Sequence, residues 1–506
     1  MTARAQAQSA AGAAPRALLA TAQAFPLVAV AWGALAFGGV YSWAYWPLAL
    51  VCAVSGTCGV VAARRSRAET HDRALIAGLS AVGIAIVLQL VPLPAAALAL
   101  SPRTEGLLRD LNPAFAAGVL TLHPLSVWPR DTMVAFVLFA ALAIFFIGTT
   151  RVLSVTGSRR LVEALTAFGV VLALIGIVQK PLYSGAIYGL WELEIGRLPF
   201  GPFVNRNHFA GWMLMALPLT LALLSEGIGR GMRGLRPGWR YKVLWFSSPE
   251  ASQLILLASA AVVMALSLML TMSRSGIAAF ALSLLFMGAI VMRVLDSRLR
   301  RLTAATSLAL LLVLVVTWAG PEAIAARFAS GDWGEFNNRR GAWTDALAVI
   351  RDFPLAGTGL NTYWAASLFY QKHELTHFFA QAHNDYLQLA AEGGLLLVLP
   401  AFACLGLFVR DISRATREHR GSTTWWLRMG AVTSLLAIAF QETVEFSLQM
   451  PGNAVLFAVV CAVAVHRSPE ERSPAGARET IPVLRLVPAG TPQGSRRART
   501  VPHGSV

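Results

Sequence analysis

The sequence predicts an all-α polytopic membrane protein of about twelve transmembrane helices, with one large exported loop between helices 9 and 10. Three observations lead there. Of the 506 residues, 56% are hydrophobic and only 13% are charged, where a soluble globular chain carries ~25% charged residues. Apolar windows of near-spanning length recur along the chain, and mean hydropathy is +0.59. Lys and Arg gather in alternate connections between those windows.

A bilayer crossing takes ~20 apolar residues. The windows are Leu18–Val40, Trp43–Val61, Ala74–Leu93, Met133–Gly148, Leu161–Gln179, His208–Leu224, Leu254–Thr271, Ala278–Val294, Leu302–Gly320, Tyr386–Val409, Trp425–Gln441 and Gln449–Val465. The last two are short, so partial re-entrance is an alternative for either. This divides the chain into a cytoplasmic tail (1–17), helices 1–9 (18–320), the large loop (321–385), helices 10–12 (386–465) and a C-terminal tail (466–506). That last tail, rich in Pro, Gly, Ser and Arg, has little to bury and reads as disordered. No signal-peptide cleavage pattern follows the first apolar core, so the first helix is expected to be an uncleaved anchor. Cys52, Cys58, Cys404 and Cys461 lie in apolar runs without metal-ligand spacing and read as small buried hydrophobes.

The formal charge of +16 would suggest nucleic acid in a soluble protein. With the N-terminus in the cytoplasm and the helices alternating, 30 of the 42 Lys and Arg residues fall on cytoplasmic segments. The positive-inside rule therefore accounts for the excess. The partner is the lipid bilayer, and no nucleic acid is expected. The exported side receives Pro94–Asp131, Lys180–Asn207, a tight Ser273-Arg274-Ser275-Gly276 turn and the large loop.

Four polar constellations stand on that side. In Gly201-Pro202-Phe203-Val204-Asn205-Arg206-Asn207-His208, two Asn, an Arg and a His sit where an exported loop enters a helix. Capping and snorkelling are the ordinary explanation. As a site, Asn205 and Asn207 offer two-sided hydrogen bonding and Arg206 a fixed charge, which suits an anion or a sugar. In Thr271-Met272-Ser273-Arg274-Ser275-Gly276, an Arg lies between two apolar helices, where an unpaired charge is costly. Flanking hydroxyls and the helix N-terminus that follows favour a phosphate on Arg274 over a headgroup anchor. Arg339 and Arg340 precede Trp343 in an amphipathic stretch whose apolar face is Trp343, Ala346, Leu347 and Ile350. Finally, His383-Asn384-Asp385-Tyr386 puts a histidine at the water–membrane boundary, a candidate general base with a pKa near working pH, and Asn384 to orient the ring.

A competing motif overlaps the last one. His373-Glu374-Leu375-Thr376-His377 matches H-E-x-x-H, and His383 falls where a third zinc ligand would lie. Against zinc, Ala380 stands where that pattern needs Gly, no Met-turn follows, and no protease domain surrounds the segment. No metal and no cofactor is expected.

Assembled, these residues give a chain that resembles the O-antigen ligase and polymerase superfamily, the membrane glycosyltransferases sharing the Wzy C domain. The likeness covers Lys180 to Gly394, and the twelve-helix layout more loosely. Three motifs carry it. They are Asn205-Arg206-Asn207-His208-Phe209-Ala210, the Ser273-Arg274-Ser275-Gly276 turn, and the long loop. In that loop Arg339, Trp343, Asp352, Pro354, Gly357 and Gly359 precede His383-Asn384-Asp385-Tyr386-Leu387-Gln388 and Glu392-Gly393. The resemblance implies a GT-C-like fold in the bacterial inner membrane and a metal-independent, inverting transfer at the periplasmic face. It implies a glycan on undecaprenyl pyrophosphate as donor and lipid A core or another glycan as acceptor. In such enzymes a loop histidine activates the acceptor hydroxyl and arginines hold the pyrophosphate. Here those roles fall on His383, and on Arg274 with Arg206 or Arg339, while Asn205, Asn207, Arg340, Asn384 and Tyr386 are the other substrate-binding candidates. Which of Arg339 and Arg340 matches the family position stays open, and Glu442 and Glu445 have no assigned role.

A ligase is the leading reading, and a polymerase of the same repeat units is the runner-up with the same donor chemistry. A polysaccharide transporter or flippase would call for repeat symmetry or charged broken helices at mid-membrane. The charged residues here gather instead at the edges of the windows.

Overall fold

Inside a bilayer only a helix satisfies its backbone N–H and C=O groups within one segment, and the apolar runs of this chain fold accordingly. The computed structural model describes residues 19–467, except 20, 67–71, 99–100, 194–197, 232–246, most of 296–333, 374–377 and 418–419. The principal helices are α1 (Thr21–Leu35), α2 (Ser42–Arg65), α3 (Arg73–Gln89), α4 (Pro129–Thr156), α5 (Arg159–Leu182), α6 (Arg206–Gly231), α7 (Pro249–Leu270), α8 (Arg274–Val294), α9 (Gly334–Asp352), α10 (Tyr363–Tyr370), α11 (Asp385–Arg417), α12 (Thr423–Gln441) and α13 (Pro451–Val465). Seven of them, α2, α4, α5, α6, α7, α8 and α11, are long and apolar enough to cross a membrane, and α1, α3 and α13 are shorter apolar helices. The molecule is an all-α polytopic membrane protein. Most of the window Leu302–Gly320, most of the loop before Gly334 and nearly all of the two tails lie outside the described residues.

Helix α6 is the axis of the bundle. Every residue from His208 to Glu226 is buried. Trp212, Met213 and Leu217 share one apolar core with Met264 of α7, Phe280 of α8, Leu427 of α12 and Val459 of α13. At one end of the bundle, charged side chains tie helix ends together. Arg151 donates to Asp72 at 2.7 Å, and Arg159 and Thr423 both reach Glu226. Arg428, fully buried, donates to the carbonyls of Ala415, Ala464 and His466.

At the other end lies a polar layer with its own core, which joins two excursions that the sequence reading treats separately. Leu98, Leu108, Phe115 and Val127 pack against Ala346, Val349, Phe353, Tyr363 and Ala391. A two-strand ladder, β1 (Pro92–Pro94) with β2 (Leu122–Pro124), closes the first excursion. The buried stripe of α9 includes Ala342, Ala346 and Val349, whereas Leu347, expected on the apolar face, is 54% exposed. The spacing of the buried residues is helical, and the layer approaches α9 from the Val349 side, so Leu347 turns outward.

Helix α11 breaks at Gly394 (φ 53°, ψ −164°), and the backbone groups this frees bind the turn after α9. Leu395 and Leu396 donate to the carbonyls of Pro354 and Leu355, and Thr358 and Gly359 donate to those of Ala391 and Glu392. Gly357 (φ +64°) and Gly359 (φ +106°) make this contact possible. A Cβ on the first would lie 2.2 Å from the Glu392 carbonyl oxygen, and on the second 2.4 Å from Ser126 Oγ. Buried Gln89, at the end of α3, locks the turn by donating to the Ala356 and Glu392 carbonyls and accepting from Leu360 N–H. The Glu392 carboxylate accepts from the N–H groups of Asn361 and Tyr363, at the start of α10.

Candidate functional site

The polar layer meets the bundle at the N-terminus of α6. Asn205 accepts from the Asn207 N–H at 2.8 Å, satisfying one orphan donor of the helix start. Asn207 Nδ2 then donates to Glu445 Oε1 at 2.7 Å. Glu445 stands in the turn 442–450 between α12 and α13, which the Glu442 carboxylate closes by accepting from Ser447 N–H. Gln441 and Asn453, on either side of the turn, donate to the backbone carbonyls of Asn207 and His208.

The same Glu445 oxygen takes a 2.8 Å hydrogen bond from Arg339 of α9. Glu445 is 1% exposed and Arg339 15%, so this is a shielded ion pair. Arg340 is exposed. Of the two adjacent arginines, Arg339 is therefore the one that faces the bundle.

His383 sits beside this pair. It is held in the left-handed region at φ 51°, and its carbonyl accepts from Trp343 Nε1 at 3.2 Å. The Phe446 ring lies 4.8 Å from both the His383 and the His208 rings, edge-on to each. His383 Nδ1 is buried and has no hydrogen-bond partner among the described residues. Burial first, and the Arg339 guanidinium second, push the His383 pKa down to about 3. The expectation of a pKa near working pH thus does not hold, because the ring sits among aromatic carbons and beside a cation.

Asn384 does not orient the ring. Its side chain donates to Thr443 O at 2.8 Å and accepts from Leu387 N–H, capping α11. Tyr386 OH donates to Ala439 O, and Asp385 Oδ1 accepts from Gln449 Nε2. These three consecutive side chains fasten the start of α11 to α12 and to the turn after it.

Arg206 and Arg274 are the first residues of α6 and α8. Adjacent to Asn207 in sequence, Arg206 lines a separate cavity of about 300 Å³ with Gln179, Lys180, Tyr183, Thr271 and Met272. Arg274 is the first residue of α8 and half-buried, and Ser273 caps that helix through Gly276 N–H. A Cβ on Gly276 would lie 2.8 Å from Ala210 Cβ, so this glycine lets the start of α8 approach the start of α6. The two motifs that carry Arg206 and Arg274 are therefore neighbours. His373, the first histidine of the H-E-x-x-H stretch, bonds through Nδ1 to Asp345 at 2.7 Å, while Glu374 and His377 lie outside the described residues.

The residues that sequence reasoning left without a role are Glu442, Glu445 and Phe446. A signal existed for the first two. They are the two carboxylates between Thr423 and Val465, in two strongly apolar runs, and acidic residues at such positions are rarely idle. No curated protein matches the chain. Residues 259–402 match the Wzy_C family model, described as O-antigen ligase, a stretch that takes in Arg274, Arg339 and His383 but neither Arg206 nor Glu445. Over this segment the chain is similar to the O-antigen ligase family, and the match supports the O-antigen ligase and polymerase superfamily.

Proposed function

We propose that this protein is a ligase of the O-antigen ligase type. It transfers a glycan from undecaprenyl pyrophosphate to an acceptor sugar hydroxyl, such as one on lipid A core, at the periplasmic face of the inner membrane. The match over residues 259–402 supports the coarser class, a membrane glycosyltransferase of the O-antigen ligase and polymerase type. The observation that carries the finer reading is the cluster in which Glu445 gathers Arg339 and Asn207 beside His383.

The chemistry follows from those groups. The acceptor oxygen attacks the anomeric carbon from the face opposite the leaving group, the bond from that carbon to the phosphate oxygen breaks, and the diphosphate leaves with the electron pair. Configuration inverts. Cations where the leaving charge develops lower the barrier, a role that suits Arg274 and Arg206, with Arg339 nearer the histidine. The acceptor proton goes to His383. At neutral pH its imidazole is uncharged, the form that accepts a proton, and a diphosphate near Arg339 offsets the smaller of the two causes that depress its basicity. No step in this scheme requires a metal.

Polymerisation of the same repeat units is the second reading, since the donor half of the reaction is identical. Deletion followed by gel analysis of surface glycans separates the two. Loss of attachment with normal polymer length supports the ligase, whereas single-repeat products support the polymerase. Unchanged surface glycans count against both.

A further inference from the structure

Asn384 does not orient the His383 ring, and the side chains packed against that ring are aromatic. His383 and Phe446 form a near-perpendicular pair, with ring centroids 4.8 Å apart at 87°. Phe379 makes a looser pair of the same kind, 5.5 Å apart at 84°. Such pairs set the edge of one ring against the electron-rich face of the other. Phe446 is the more firmly held of the two. It is buried, whereas Phe379 is half-buried. It also directly follows Glu445, whose carboxylate holds Asn207 and Arg339. The His383 backbone is fixed as well, since its carbonyl accepts from Trp343 Nε1.

The two ring nitrogens of His383 differ. Nδ1 is sealed and has no hydrogen-bond partner among the described residues, while the residue as a whole stays partly exposed. Nε2 is therefore the nitrogen left to meet an acceptor hydroxyl. In a neutral imidazole one nitrogen carries the proton and the other a free lone pair. The partner of one nitrogen decides the state of the other. A proton-accepting Nε2 thus requires hydrogen on Nδ1, where no carboxylate or carbonyl of the described residues receives it. An aromatic face is a weak acceptor for such an N–H. We propose that Phe446 is a positioning residue for His383: its ring face takes the Nδ1–H and so keeps the Nε2 lone pair turned toward the acceptor. The consequence for transfer rests on the glycosyltransferase reading, but the tautomer does not. One turn then delivers both the carboxylate that holds Arg339 and the ring that sets the histidine.

The test reads the tautomer directly, by nitrogen NMR of the full-length, histidine-labelled protein in nanodiscs at neutral pH. The His383 signals are those missing from His383→Gln. Phe446→Leu keeps an apolar side chain and removes the ring face. 3,4,5-Trifluorophenylalanine at position 446 keeps the shape of the ring and drains its face of electron density, which covers the case in which the leucine variant loosens the turn. Wild type should show hydrogen on Nδ1 and a bare Nε2. Both replacements should move the proton toward Nε2. They should lower kcat with undecaprenyl-pyrophosphate-linked glycan about fivefold, the scale of one weak contact, and leave inorganic pyrophosphate affinity within about twofold of wild type. Hydrogen on Nε2 in the wild type overturns the proposal. An unchanged tautomer in both replacements overturns it too, even with slower transfer, because Phe446 then only packs. If Phe379→Leu moves the proton and neither change at Phe446 does, the accepting face belongs to Phe379 and the assignment to Phe446 falls. If the tautomer shifts as expected while His383→Gln transfers at the wild-type rate, the contact with Phe446 is supported and the general-base reading is what fails.

Discussion

Glu445 accepts a 2.8 Å hydrogen bond from Arg339, and this pair ties helix α9 to the turn between α12 and α13. Because Asn207 donates to the same oxygen, one buried carboxylate fixes three chain segments that are far apart in sequence. Glu445→Ala leaves a shielded guanidinium without its counter-charge, a loss of ~3–5 kcal/mol for a buried pair. Transfer should fall at least about a hundredfold, with a lower unfolding temperature. Glu445→Gln keeps an acceptor oxygen and should retain more of both. Wild-type turnover in purified Glu445→Ala would remove Glu445 from the site.

The contrast between Arg339 and Arg340 gives a second test. Arg340 is exposed, and its carbonyl accepts from Thr344 Oγ1 within the helix. Arg340→Gln should stay within about twofold of wild type, as expected of an exposed side chain away from a site. Arg339→Gln should lose most activity, because Glu445 and His383 both depend on its charge. Glycan-transfer assays on the two variants side by side decide it, and equal effects would reopen the choice between them.

His383 gives a pH dependence with a definite sign. Its folded pKa, about 3, lies below the ordinary histidine value, so the native state resists protonation. The unfolded chain takes up that proton below ~6.5. The contribution of this residue to stability is therefore complete above ~6.5 and is lost as the pH falls from there toward 3. His383→Gln should flatten part of the acid limb of a thermal-unfolding profile. In activity, kcat/KM of the wild type should show no histidine inflection between about pH 5 and 8, because the free enzyme does not titrate this group there. His383→Gln should abolish transfer while pyrophosphate still binds. A variant that transfers at the wild-type rate across that range makes the residue structural.

His373 separates the glycosyltransferase reading from zinc hydrolysis. Its ring is bonded to Asp345, whose other oxygen accepts from Lys372 N–H, which describes a loop clamp. His373→Ala should cost ~1 kcal/mol, typical of a lost hydrogen bond in a half-exposed setting, and leave most transfer activity. Chelators should do little. Activity lost on chelation and restored by zinc would reverse that assignment.

Much of the architecture was legible in the sequence because hydrocarbon imposes a one-dimensional rule. A run of apolar residues long enough to cross must be helical, so the windows from Trp43–Val61 to Gln449–Val465 fall mainly on helices where the chain is described, although Ala74–Leu93 runs past the end of α3 into β1. The polar layer was less legible. Its core joins Leu108 to Val349 and Phe353 across more than two hundred residues, and periodicity carries no information about such partners. The same limit hid Glu445. Its importance comes from Asn207 and Arg339, each more than a hundred positions away. Asn384 shows the opposite error, for proximity in sequence suggested that it orients His383, yet its side chain faces Thr443 and Leu387.

Gln89 tests whether the polar layer and the bundle act as one unit. It is fully buried, it ends α3, and its amide makes two hydrogen bonds to the turn that carries Gly357 and Gly359 and a third to the Glu392 carbonyl of α11. Gln89→Leu fills nearly the same volume but leaves the Ala356 carbonyl and the Leu360 N–H without this partner. Each buried group so stranded costs ~1–3 kcal/mol, so a loss of at least about 2 kcal/mol is expected. That loss should concentrate in the layer, because α3 keeps its own backbone bonds and its apolar contacts through Ile86 with Leu397. Limited proteolysis of residues 334–391 should therefore speed up well before the transmembrane helices become accessible, and transfer should fall in parallel since α9 carries Arg339. Global unfolding without early cleavage of the layer would show that its stability is not separable from that of the bundle. An unchanged cleavage rate would show that the Gln89 bonds contribute little.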